Sequence, residues 1–218
     1  MGINYKEIRE NARHSLKGNW KLAILISLVY SFVSVIGDFI PESRTVWVTI
    51  LSAISNGLFI FGYTAIIMHI VRGENTEFSE IFDGCRRFLK GLGMKLLVGI
   101  YTGLWTLLLI VPGIIATIKY SMTFYIWTDN PDISINEAIS RSIEMTEGHK
   151  LEIFKLVFSF IGWIALILVL AIAISFCSIQ YFVVIVSIGM IFLSPYIEIA
   201  LGVFYTKLVK EMESKTVF

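Results

Sequence analysis

Two charged residues lie inside long apolar runs, Lys119 in IIATIKYSMTFYIW and Glu198 in FLSPYIEIALGVFY. In lipid an unpaired charge costs at least about 2.5 to 3.5 kcal/mol, so each must face protein or water and find a partner. Their charges are opposite, and a Lys119–Glu198 pair across a bundle interior is the simplest arrangement. Such a pair is a packing salt bridge or one wall of a polar cavity for a substrate, an ion or a lipid headgroup; separate snorkelling is the third arrangement. Tyr120, next to Lys119, and Pro195 and Tyr196, just before Glu198, are the candidate cavity lining. Proline at membrane depth frees carbonyls that can line a site, although Pro112 reads as a tight turn.

No other residue types stand at a spacing that makes chemistry. The sequence contains no H-E-x-x-H, C-x-x-C, G-x-S-x-G, P-loop or strand-linked G-x-G-x-x-G pattern. His14, His69 and His149 have no metal-ligand spacing and read as polar residues near one membrane interface. Cys85 and Cys177 are expected at opposite ends of the crossings, so neither a disulfide nor a metal pair is expected. No catalytic residue, metal or cofactor is expected.

The elements that would hold Lys119 and Glu198 follow from composition. The chain of 218 residues is 56% hydrophobic and 16% charged, with mean hydropathy +0.76, far more apolar than a soluble domain at about 25% charged. A net charge of +1 gives no reason to expect a nucleic-acid partner. Six apolar segments read as crossings, at about 20–40, 46–71, 92–111, 114–127, 153–176 and 181–208. As one helix, residues 92–127 would be about 54 Å long against roughly 30 Å of hydrocarbon, so the chain must double back near Pro112-Gly113. The third crossing carries Gly99-x-x-x-Gly103, small residues one turn apart that let two membrane helices approach closely.

Three amphipathic segments, 4–17, 77–90 and 134–147, precede the first, third and fifth crossings. They superimpose, matching Tyr5, Phe78 and Ile135, then Glu7, Glu80 and Glu137, then Gly18, Gly91 and Gly148. The predicted fold is all-α, one integral membrane domain over 1–218 with approximate repeats 4–71, 77–127 and 134–208, each an amphipathic helix followed by a helical hairpin. With six crossings, 16 of the 18 lysines and arginines fall on one side; Arg44 falls on the other, and Lys119 within the membrane. The positive-inside rule then places both termini in the cytoplasm of a plasma-membrane protein.

The run LWTLLLIVPGIIATIKYSMTFYIWTDNPDISINEAISRSIEMTEGHKLEIFKLVFSFIGW, with LKGNW near the start and SPY before FYTKL near the end, resembles the bacterial integral-membrane family catalogued as domain of unknown function 975. The resemblance covers nearly the whole chain and implies a multi-pass bacterial plasma-membrane protein. More distantly it implies a likeness to the membrane portion of some glycerophosphodiester phosphodiesterases. It implies no activity and no catalytic residues, and the chain has no soluble hydrolase domain. The expected function is a non-enzymatic module that organises or binds at the membrane, its basic amphipathic helices lying on anionic lipid headgroups or on another membrane protein. The alternative is a transporter or lipid-handling protein with a midplane site around Lys119, Glu198 and Tyr120. A polar cavity between the fourth and sixth crossings would favour that alternative.

Overall fold

The computed structural model describes residues 4–35, 45–175 and 179–216. The polar turn expected at 38–44, and Cys177, lie outside the described residues. The helices, in order, are α1 Tyr5–Leu16, α2 Trp20–Val35, α3 Thr45–Arg72, a 3₁₀ segment Phe78–Arg87, α4 Phe88–Leu108, α5 Ile110–Tyr120, α6 Thr123–Asp129, α7 Ile135–Thr146, α8 Lys150–Phe158, α9 Ile161–Ser175 and α10 Ile179–Thr216. All described elements are helical, as composition and periodicity require. Among the described residues, four stretches are long and apolar enough to cross a membrane: Phe78–Leu108, Ile110–Asp129, Lys150–Ile174 and Val184–Ser214. Two shorter apolar stretches, Trp20–Tyr30 and Gly57–Arg72, accompany them.

The first and third amphipathic segments fold alike. In α1 the Asn4 side chain accepts the Lys6 amide at 3.0 Å, and in α7 Ser134 accepts the Glu137 amide at 3.2 Å, each satisfying a donor that the first helical turn leaves open. Each helix runs 12 residues and is followed by a glycine at positive φ, Gly18 at +99° and Gly148 at +84°, a conformation that a side chain would strain. Their stripes are buried against protein, with Ile8, Ala12 and Leu16 in α1 and Ala138, Ile139 and Ser142 in α7 covered.

The middle segment departs from this pattern. Glu77 and Glu80 form a reciprocal capping box, but the following ten residues wind as a 3₁₀ helix with three residues per turn. That winding brings Ile81 and Gly84 onto one buried line, while Phe82 (51% exposed) and Leu89 (78% exposed), expected on the apolar stripe, turn outward. Gly91 is no helix end either, because it lies inside α4.

The reason is a backbone contact. A Cβ on Gly62 would stand 2.3 Å from the Ile81 carbonyl oxygen, and one on Gly84 would stand 2.1 Å from that of Leu58. A Cβ on Gly91 would meet the Gly57 carbonyl oxygen at 2.6 Å. The 3₁₀ segment and the start of α4 thus lie directly on the backbone of α3, an approach only hydrogen side chains permit. Gly99 and Gly103, expected to serve this role, have nothing within 4 Å of their Cβ positions and lie on an exposed face of α4. A spacing of four residues shows that two small groups share a face, but not which face meets protein.

The chain does double back within 92–127. The corner is Leu109, extended at φ −163° and ψ 148°, rather than Pro112-Gly113. Pro112 sits in the first turn of α5, where its missing N–H costs nothing, and the Gly113 Cβ position lies 2.3 Å from Thr106 Oγ1, so α5 folds tightly against α4. The next apolar stretch breaks again between Tyr120 and Thr123, and the fifth predicted crossing is divided at Ser159-Phe160. By contrast α10 continues through Pro195.

One hydrophobic core links α1 to α10, with Trp127, Phe160 and Phe204 almost fully covered. Leu107, Leu109 and Ile110 at the α4–α5 corner are exposed, an apolar surface suited to lipid. Gly62→Ala should therefore cost about 1 to 3 kcal/mol by overpacking α3 against the 3₁₀ segment, whereas Gly99→Ala should stabilise by up to about 1 kcal/mol through helix propensity. Thermal unfolding in mild detergent measures both; equal effects would contradict the packing described.

Candidate functional site

Glu198 stands on α10 with its carboxylate facing a cavity of about 290 Å³. From α6, the Tyr125 hydroxyl reaches Glu198 Oε2 at 2.8 Å and the Glu198 backbone oxygen at 3.0 Å. The other carboxylate oxygen has no hydrogen-bond partner among the described residues, and no described cation lies within ion-pair distance of Glu198. An ionised carboxylate can accept about four hydrogen bonds, so this one keeps acceptor capacity toward the cavity.

Among the described residues, six helices contribute to the walls. Tyr30 of α2 and Tyr63 of α3 stack with ring centroids 5.0 Å apart. Tyr120 of α5, the linker residue Ser121 and Tyr125 of α6 come from the broken apolar stretch, and Val98 from α4. Three of the hydroxyls on these walls donate to nearby backbone carbonyls: Thr64 to Ile60 at 2.8 Å, Thr117 to Gly113 at 3.0 Å and Ser121 to Ile118 at 2.8 Å. With the Tyr125 proton directed to Glu198, these groups present oxygen lone pairs. On the α2 side Lys95 donates to the Tyr30 hydroxyl at 2.9 Å without itself lining the cavity.

The break that brings Tyr120 and Tyr125 to this site is mended by α7. Ser142, fully buried, donates to the Lys119 carbonyl at 2.7 Å and accepts the Met122 amide at 3.2 Å. One hydroxyl thereby satisfies a carbonyl and an amide at the α5–α6 break, in surroundings that supply no water. Below the cavity, Tyr125 stacks on Tyr205 at 5.7 Å, and Tyr205 donates to Asp129 at 2.9 Å. Arg72 holds the same carboxylate with contacts of 2.7 and 2.8 Å. Arg87 and Lys90 both donate to the Pro131 carbonyl, fixing the loop after α6.

Several expectations need correction. Lys119 and Glu198 form no ion pair: Lys119 contributes its carbonyl to Ser142, its half-buried side chain does not line the cavity, and Glu198 is held by Tyr125. Neither Pro195 nor Tyr196 lines the cavity. Tyr196 points to the other side of α10, where its hydroxyl donates to the Arg9 carbonyl at 3.2 Å and its ring packs on Phe160. Tyr120 does line it. The missed contributors are Tyr30, Tyr63 and Tyr125, and their signal in the sequence was weak. Tyr63-Thr64 is a polar step in an otherwise apolar run, and Tyr125 stands five residues after Tyr120.

The histidines form no shared site: His69 contacts Glu80 at 2.7 Å and His149 contacts Glu152 at 2.8 Å. Among the described residues, no three His, Cys, Asp or Glu side chains are grouped to hold a metal. The site offers a carboxylate, hydroxyl acceptors and aromatic walls; these can bind a polar group.

No curated protein and no solved structure matches the chain, so the distant likeness to the membrane portion of glycerophosphodiester phosphodiesterases gains no support from them. A family does match, over residues 1–119 and again over 106–212, and the central run from the α4–α5 corner through α7 that shapes the cavity falls within these spans. The chain belongs to the family described as "Protein of unknown function (DUF975)".

Proposed function

We propose that this protein is a six-crossing plasma-membrane protein that admits a small polar ligand, or the headgroup of a lipid, into the cavity beside Glu198. The carrying observation is the cavity itself, in which a half-satisfied carboxylate and several tyrosines meet between α5–α6 and α10. A carboxylate among apolar helices is costly unless it has a use or a partner, and the described residues give it only Tyr125. In this reading the protein is a transporter or lipid-handling protein and has no enzymatic activity. α2 and α3 supply the first two crossings, α4 and α5–α6 the next two, and α8–α9 and α10 the last two. Both termini face the cytoplasm because the Lys and Arg residues gather at that end.

The membrane-organising role is less well supported. It needs the apolar faces of the amphipathic helices to lie on lipid, yet the stripes of α1 and α7 are buried on the bundle. Their charged faces also serve internal contacts: Lys207 of α10 pairs with Glu7 of α1, and Arg9 approaches the Ser159 carbonyl. Anionic lipid remains a partner for the outward residues, such as Lys6 and Arg13, which are exposed.

Two outcomes follow. In a Cys177→Ser background, exposed Cys85 should react with a membrane-impermeant maleimide in inside-out vesicles and not in intact cells; the opposite pattern would overturn the orientation. Mass spectrometry of the protein purified in mild detergent should find a small polar molecule or lipid retained by the wild type. That molecule should be lost from Thr117→Trp, which adds bulk at the cavity wall. Equal retention by both would contradict the site.

A further inference from the structure

The lining of the cavity is selective in charge as well as in size. At about 290 Å³ it has the volume of roughly ten water molecules, enough for a small headgroup and too little for an acyl chain. Among the described residues, Glu198 is the one ionisable acid or base on its wall apart from the tyrosine hydroxyls. The hydroxyl protons of Thr64, Thr117, Ser121 and Tyr125 are already donated, so these groups turn acceptors toward the space. Against this carboxylate and these acceptors a ligand that brings donors and positive charge is complemented best, and the Thr102 and Tyr120 hydroxyls on the same wall can donate to its other groups. An anion would meet Glu198 with no cation among the described wall residues, and a neutral alcohol would leave the carboxylate uncompensated. Aromatic walls with one carboxylate suit an organic cation, because ring π-electrons attract cations and the hydrocarbon part packs on the rings.

We propose that the cavity is a binding site for an organic ammonium group, with Glu198 as its counter-ion. This rests on the ligand-binding reading above and narrows it to one chemical class. The free oxygen of Glu198 accepts one ammonium N–H, and the hydroxyl oxygens of Thr117 and Ser121 are available to the others. Tyr125 holds the carboxylate in place and is a positioning residue. The ammonium group comes either from a free amine or from an aminophospholipid headgroup.

The test uses the full chain in mild detergent and three probes of similar size: ethanolammonium, ethylene glycol and glycolate. Ethanolammonium should raise the unfolding temperature saturably and the other two should not. Glu198→Gln preserves the Tyr125 hydrogen bond and should weaken ethanolammonium by roughly ten-fold or more, the loss expected for a charged partner. Glu198→Asp should retain part of the binding, and Thr117→Trp should abolish it. Ethylene glycol or glycolate binding that Thr117→Trp removes would overturn the ammonium assignment while sparing the cavity reading. Equal stabilisation by sodium, or no effect of Glu198→Gln, would overturn the assignment as well. If no probe binds and Thr117→Trp changes nothing, both readings fall. Repeating the titration in nanodiscs separates the sources. Weaker ethanolammonium binding with phosphatidylethanolamine than with phosphatidylglycerol identifies a competing headgroup, and equal binding identifies a free amine; either result supports the site.

Discussion

A backbone broken inside an apolar bundle must satisfy its freed amide and carbonyl without water, and that constraint shapes this protein. The break lies between Tyr120 and Thr123, and its remedy is the Ser142 hydroxyl, bound to the Lys119 carbonyl and the Met122 amide. Because α7 must reach this depth to supply the hydroxyl, its stripe is buried on the bundle and is not free for lipid. Because α5 stops and α6 restarts, Tyr120 and Tyr125 approach one space, and α10 delivers Glu198 to the same place. Mending the backbone and building the cavity are one arrangement.

The second organising contact is steric. Gly62 and Gly84 allow the 3₁₀ segment to rest on the α3 backbone, and Gly91 allows α4 to follow. This close approach leaves little room for a side chain at any of the three positions, and it draws α3, which bears Tyr63, against α4. Below, Arg72, Asp129 and Tyr205 tie the end of α3 to α6 and α10. The stacking of Tyr205 on Tyr125 carries that tie to the residue holding Glu198. The cavity is therefore braced by glycine packing on one side and by an ionic and aromatic chain on the other.

Much of this was legible in the chain. Hydropathy marked the apolar helices, and helix length required the reversal found at Leu109. The glycines Gly18 and Gly148, matched after the first and third amphipathic segments, end α1 and α7. What the sequence could not show was azimuth. Periodicity is nearly silent on a helix that is apolar all round, so nothing indicated that Gly99 faces outward while Gly62 faces backbone. The same gap explains the site. The cost of a charge among apolar residues singled out Glu198 and Lys119, but charge alone suggested that they meet. Helix rotation decides instead that Glu198 meets Tyr125 while Lys119 turns away. The 3₁₀ winding of 78–87 was hidden for a related reason, since Phe82 and Leu89 fit a 3.6-residue stripe that tertiary contact overrides.

The most direct test of the central claim is amide hydrogen exchange at Met122, comparing the wild type with Ser142→Ala in the same detergent. Ser142→Ala should accelerate exchange at Met122 by about ten-fold or more, the effect of losing one buried hydrogen bond, while amides in the middle of α10 keep their protection. Unchanged protection at Met122 would mean that Ser142 does not hold the break, and would contradict the account of how the cavity is built.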